Sequence, residues 1–149
     1  MKPTLQQLVI IAQDEQYILS ELLLEFADIS VIRRIISVDD FLIPKHREIW
    51  RIMVMLNDNG MCSDMVNVYR QADPELIGDA LYLTRITRQN TFVCELRDMG
   101  IEPEPIEACC QRIKQYAAVF SSIRRIVWSA PKPRKMSDKE VNEYLYGGE

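Results

Sequence analysis

Apolar residues recur along the chain at three- and four-residue spacing, and that period predicts helices throughout. Ile18, Leu22 and Phe26 lie four apart with Leu19 and Leu23 beside them, which predicts a first helix over about residues 14–26. Ile32, Ile35 and Ile36 mark a short second helix, with Asp28 or Ser30 placed to cap it. A third helix opens at Pro44, which has no N–H to lose in a first turn. It carries Ile49, Ile52, Met53 and Leu56 and ends at Asn59 and Gly60, a C-terminal left-handed signal. Ser63 or Asp64 caps a short helix bearing Val66 and Tyr69, and Asp73, Pro74 and Glu75 open another with Leu76, Ile77, Ala80, Leu81 and Leu83. Between residues 90 and 104 the pattern is ambiguous. Phe92, Val93 and Leu96 have apolar spacing, but Gly100, Pro103 and Pro105 break any long element.

The longest predicted helix runs over about residues 105–128, some 35 Å at roughly 1.5 Å per residue. Ile106, Ile113, Phe120 and Val127 lie seven apart, and Cys109, Tyr116 and Ile123 follow the first three by three. Such an a/d stripe suits the seam of a helix pair, so these residues are the candidate self-association or partner interface. Three heptads fit an ordinary amphipathic helix seated on its own core equally well. Pro131 and Pro133 stop the helix, and Ser137 with Glu140 reads as a capping box for a short last helix bearing Val141, Tyr144 and Leu145. The expected architecture is therefore all-α: a compact helical bundle (1–104), then a long hairpin-like helix and a short C-terminal helix (105–149) packed on the same domain, an incomplete helical hairpin.

Composition agrees. The 149 residues suit one core, 48% are hydrophobic, and only 5 are glycine. The net charge of −4 argues against a domain that holds nucleic acid mainly through phosphates. One local basic stretch remains: Arg124, Arg125, Lys132, Arg134 and Lys135, with Trp128 inside it. Basic residues around an aromatic can hold single-stranded nucleic acid. A solvated helix end whose cations complement the C-terminal dipole is the favoured reading of the same residues.

Catalytic chemistry finds little footing. GxxxxGK[ST] and GxGxxG are both absent. His46 is the single histidine, and no Ser, Cys or carboxylate is placed by local spacing to work with it, so it is expected to be partly buried and bonded to backbone or capping groups. Cys62, Cys94, Cys109 and Cys110 lack CxxC spacing, which speaks against zinc and for small core residues in a reducing compartment. The carboxylates Asp39, Asp40, Glu102 and Glu104 fall in loops or at helix starts. The reading is a non-enzymatic chain without cofactor or metal, cytoplasmic, with no signal peptide and no apolar run near the roughly 20 residues of a membrane span.

One stretch has a more specific pattern. Asp40 and Phe41 are followed by His46, Arg47, Ile49 and Trp50, then Leu56, Gly60 and Asp64. This order and spacing resembles the N-terminal domain of the DnaB-type replicative DNA helicases. Glu15, Gln16, Ile18 and Leu19 with Leu22, Leu23 and Leu24 resemble that domain's opening helix. Gly78, Asp79, Tyr82, Leu83 and Ile86 resemble its Gly-Gly-x-x-Tyr-Leu segment, and Ile106, Ile113 and Ile123 fall where its long hairpin helix begins. The likeness covers roughly residues 14–128. Ser20 and Asp79 stand where the family usually has glycine, the connection over residues 90–105 is longer, and the second hairpin helix is shortened. The resemblance implies a domain without ATPase activity that forms a dimer-based homo-oligomer and receives primase, a helicase motor or a loader protein in DNA replication. The alternative is an accessory factor that binds single-stranded nucleic acid or a helicase through its basic C-terminal segment.

Overall fold

The computed structural model describes residues 3–73 and 80–120. Its elements are α1 (Leu5–Leu23), α2 (Ile29–Ile32), a 3-10 turn (Val38–Asp40), α3 (Pro44–Asp58), α4 (Met65–Gln71), α5 (Ala80–Arg88), α6 (Thr91–Asp98) and α7 (Ile106–Val119). Among the described residues there is no strand, as the periodicity requires.

α1 starts nine residues earlier than its apolar stripe suggests, because a polar device sets its beginning. The Thr4 hydroxyl accepts from the Gln7 N–H at 3.1 Å and the Gln7 side chain accepts from the Thr4 N–H at 2.9 Å, a capping box. It also stops three residues earlier than expected. Glu25 adopts a left-handed φ of 63°. The Phe26 N–H then reaches back to the Glu21 carbonyl at 2.8 Å and the Glu25 N–H to that of Leu22 at 3.1 Å. This is a Schellman stop with glutamate in the place glycine usually takes. Phe26, expected on the buried face, is thereby turned outward and is 53% exposed, with the Arg97 guanidinium 5.0 Å above its ring.

Two other helices stop in the same way but with glycine. Gly60 (φ 70°) ends α3, with the Met61 N–H on the Leu56 carbonyl. Gly100 (φ 77°) ends α6, with the Ile101 N–H on the Leu96 carbonyl. α6 occupies the ambiguous stretch. It has no fully buried residue, so its apolar positions gave no clean face to read. Asp28 caps α2 through the Ser30 N–H, and Asp64 caps α4 through the Asn67 N–H, each at 2.9 Å.

α1 is the central element. α7, α5 and α3 all lie against it, and α2 and α4 close over α3. Ile18, Leu19 and Leu22 of α1 meet Ile49, Trp50, Met53 and Leu56 of α3, Leu83 and Ile86 of α5, and Cys109, Cys110 and Ile113 of α7 in one core. Phe41 joins it with its ring 5.4 Å from that of Trp50. Cys109 and Cys110 are the small core residues expected, whereas Cys94 is half-buried and Cys62 is exposed, because Cys62 lies in the loop after the Gly60 stop.

Candidate interaction site

The buried face of α1 is not purely apolar. Asp14, Glu15, Gln16, Ser20 and Glu21 are buried on it with the leucines and isoleucines. A buried carboxylate is tolerated only when paired or hydrogen-bonded, and each of the three acids holds a different element.

Glu15 holds the start of α3. Ile43 makes no side-chain cap there and Pro44 occupies the first turn, so the helix brings no cap of its own. The Glu15 carboxylate supplies it from a distance, accepting the Leu42 N–H at 2.9 Å and the Ile43 N–H at 3.3 Å. A negative charge at that end also complements the helix dipole. The same carboxylate accepts from His46 Nδ1 at 2.8 Å, and His46 Nε2 lies 2.6 Å from the Tyr82 hydroxyl of α5. Because a carboxylate only accepts, Nδ1 carries a proton, and in the neutral ring Nε2 accepts from the Tyr82 hydroxyl. His46 is thus wholly buried and bonded to two side chains rather than to backbone. The carboxylate that orients it lies 31 positions away, out of reach of any local spacing rule.

Asp14 holds α7. Its two oxygens accept from Arg112 Nε at 3.1 Å and Nη2 at 2.9 Å, and Arg112 also grips Glu104. The guanidinium holds the Glu104 carboxyl below the usual carboxylate range, and hydrogen bonds to Glu104 and Asp14 raise Arg112 in turn. Glu21 holds α6 through Arg97, with Nη1 at 3.1 Å from one oxygen and Nη2 on the other. Ser20, at the family's glycine position, accepts from Asn90 Nδ2 at 2.7 Å and donates to the Tyr17 carbonyl at 2.8 Å. The departure therefore anchors the α5–α6 junction to α1. Burial and the adjacent Glu21 push the Tyr17 hydroxyl well above its ordinary range.

The predicted seam on α7 is divided. Cys109, Ile113 and Phe120 are buried within the chain itself, Ile106 and Tyr116 are partly buried, and the Tyr116 ring stacks on Phe120 at 6.2 Å. The stripe as far as Phe120 thus packs on this chain's own core, the other arrangement its spacing allows. The unbroken helix expected over residues 105–128 ends at Val119, and Phe120 follows in a turn. Ile123 and Val127 of the seam, the basic residues Arg124, Arg125, Lys132, Arg134 and Lys135, and the short last helix lie outside the described residues.

One group of the exposed apolar residues lies at one end of the α1–α7 pair. The two helices run antiparallel: Tyr17 meets Glu104 before the start of α7, and Asp14 meets Arg112 further along it. The first turns of α1 and the last turn of α7 therefore share an end. Leu5 (61% exposed), Val9 (46%) and Ile10 (38%) lie there, with Val119 (52%) on α7. No charged residue occurs from Thr4 to Gln13.

Chemistry is scarce elsewhere. Glu25, Cys62 and Asp64 converge within 4.8 Å, the one grouping of metal-ligand types among the described residues. Asp64 is engaged as the α4 cap, and the Cys62 thiol donates to Glu25. That carboxylate raises the Cys62 pKa, the wrong direction for a thiolate ligand. Burial likewise pushes Cys110 up to about 11. An open cleft of about 150 Å³ beside Tyr17, Phe26 and Arg97 is smaller than the roughly 300 Å³ at which small-molecule sites begin. Among the described residues, no helix is long and apolar enough to cross a membrane.

No curated protein sequence matches the chain. The family profile of the DnaB-like helicase N-terminal domain matches residues 9–99, more than half of the sequence. That span contains the Glu15–His46–Tyr82 network, all of α3 and α5, and α1 from Val9 onward. The chain belongs to the family of DnaB-like helicase N-terminal domains.

Proposed function

We propose that this domain is a non-catalytic assembly module of a replicative helicase system, acting by self-association and by receiving a replication partner such as primase or a helicase loader. The observation that carries this reading is the exposed Leu5, Val9 and Ile10 in the uncharged opening turns of α1, with Val119 exposed at the adjoining end of α7. These are large aliphatic side chains left in water on two helices fixed to each other by the Asp14–Arg112 pair. Grouped exposed apolar side chains mark association sites more often than isolated ones do. His46 is sealed between Glu15 and Tyr82, and the Cys62, Cys109 and Cys110 thiols are pushed up, away from a nucleophilic thiolate.

In this reading the α7 stripe up to Phe120 builds the fold, and the contact between copies uses the exposed Val119 beside that stripe together with Leu5, Val9 and Ile10 of α1. Binding of a purified replicative primase or helicase loader to the full chain, followed by size-exclusion chromatography, tests the partner half. A complex that Val9→Asp abolishes supports it. A complex with neither class, under conditions where the chain is folded, counts against it.

A further inference from the structure

Five of the nine arginines among the described residues are internally matched. Arg33, Arg51, Arg97 and Arg112 each meet a carboxylate, and Arg47 donates to the Phe41 carbonyl. Arg34, Arg70, Arg85 and Arg88 are exposed and meet no carboxylate among the described residues, and the two of them that share one helix are Arg85 and Arg88. They lie three apart in the last turns of α5. Residues three apart share one helix face. Tyr82, Leu83 and Ile86 of the same helix are buried in the core, whereas Arg85 and Arg88 lie on its solvent side. Four residues after Arg88, across the junction that Ser20 and Asn90 pin to α1, stands Phe92 at the start of α6. It is 66% exposed, the most open aromatic side chain among the described residues.

We propose that Arg85, Arg88 and Phe92 form a binding edge for single-stranded nucleic acid. The arginines take two successive phosphates and Phe92 offers its ring to one unstacked base, a combination that tracks a strand without reading its sequence. An acidic protein segment would also satisfy the arginines but has no use for the ring, and the ring decides between them. Glu95, exposed one turn after Phe92, bounds the edge and opposes the phosphates. This places the nucleic-acid contact at the α5–α6 corner, apart from the apolar end of α1. It stands or falls independently of self-association.

Fluorescence anisotropy of a labelled oligothymidylate of about 20 nucleotides with the full chain provides the test. Binding at about 50 mM salt is expected, with roughly 1.4 units of its log–log salt slope lost in Arg85→Ala/Arg88→Ala, since each single-strand phosphate contact contributes about 0.7. The double variant and Phe92→Ala should each weaken binding about tenfold, and Glu95→Gln should tighten it. All four positions are exposed, so thermal melts should match the wild type. No binding at 50 mM salt overturns the proposal, as does binding indifferent to Arg85→Ala/Arg88→Ala. Arginine-dependent binding that ignores Phe92→Ala and is competed away by a poly-glutamate peptide overturns it in favour of an acidic protein partner.

Discussion

Glu15 Oε1 lies 2.8 Å from His46 Nδ1, with both side chains 1% exposed. The pair joins α1 to α3, and through Tyr82 to α5, in the middle of the core. Breaking such a pair leaves unmatched polar groups in a dry interior, which is far more costly than the pair itself is favourable. Glu15→Ala should destabilise the fold by about 3 kcal/mol, since it orphans two backbone N–H groups and the imidazole together. Glu15→Gln keeps an acceptor oxygen and should cost less. Urea denaturation monitored by the helical circular dichroism signal reads both. An Ala variant within about 0.5 kcal/mol of wild type would refute the remote-cap account.

Glu25 holds a left-handed backbone conformation that costs a non-glycine residue about 1 kcal/mol. Glu25→Gly should therefore raise the stability of the protein by about that amount, less the entropy glycine adds to the unfolded chain. A lower melting temperature for Glu25→Gly would mean that the contact with Cys62 outweighs the backbone strain.

The same contact governs thiol chemistry. Cys62 is exposed and its pKa is raised first by the hydrogen bond to Glu25, while Cys109 and Cys110 are buried and raised by desolvation. Native protein should label quickly at Cys62 alone among these three. Glu25→Gln should speed that labelling at pH 7.5, because the thiolate fraction grows when the carboxylate is removed. Mass spectrometry after timed alkylation checks both statements.

Glu104 is held below its usual pKa by Arg112. A depressed carboxylate stabilises the folded state above its unfolded pKa of about 4.5, and that contribution vanishes as pH falls through the folded value. The melting-temperature difference between wild type and Glu104→Gln should be fully present at pH 7 and shrink as the pH falls below the unfolded pKa. A difference that is constant over that range would show that the Arg112 clasp does not act through charge.

Much of this fold was legible in the sequence, and the residues say why. α3 carries both of its boundary signals, Pro44 and Gly60, and its apolar set is buried as its spacing predicts. The boundaries of α1 were hidden because Thr4 and Gln7 form a cap ahead of the buried apolar stripe, and because Glu25 does the work of a glycine. His46 could be found as a lone histidine with a family-like spacing. Its partners Glu15 and Tyr82 could not be read from local pattern, since they come from helices 31 and 36 positions away. The α7 stripe was visible as a heptad, but a short heptad stripe looks the same whether it faces α1 or another chain. Only packing separates the two, and here Cys109, Ile113 and Phe120 face inward.

That last distinction makes self-association the decisive property. Sedimentation velocity of the full chain over roughly 1–100 µM measures it directly, a range that brackets the micromolar affinity of a transient assembly contact. The account predicts a concentration-dependent shift to a dimer or larger species that Val9→Asp and Val119→Asp remove while leaving the thermal melt of the monomer in place. Phe120→Asp, which puts a charge in the core, should instead lower that melt. A chain that stays monomeric throughout the range, or a dimer that neither exposed substitution weakens, would contradict it.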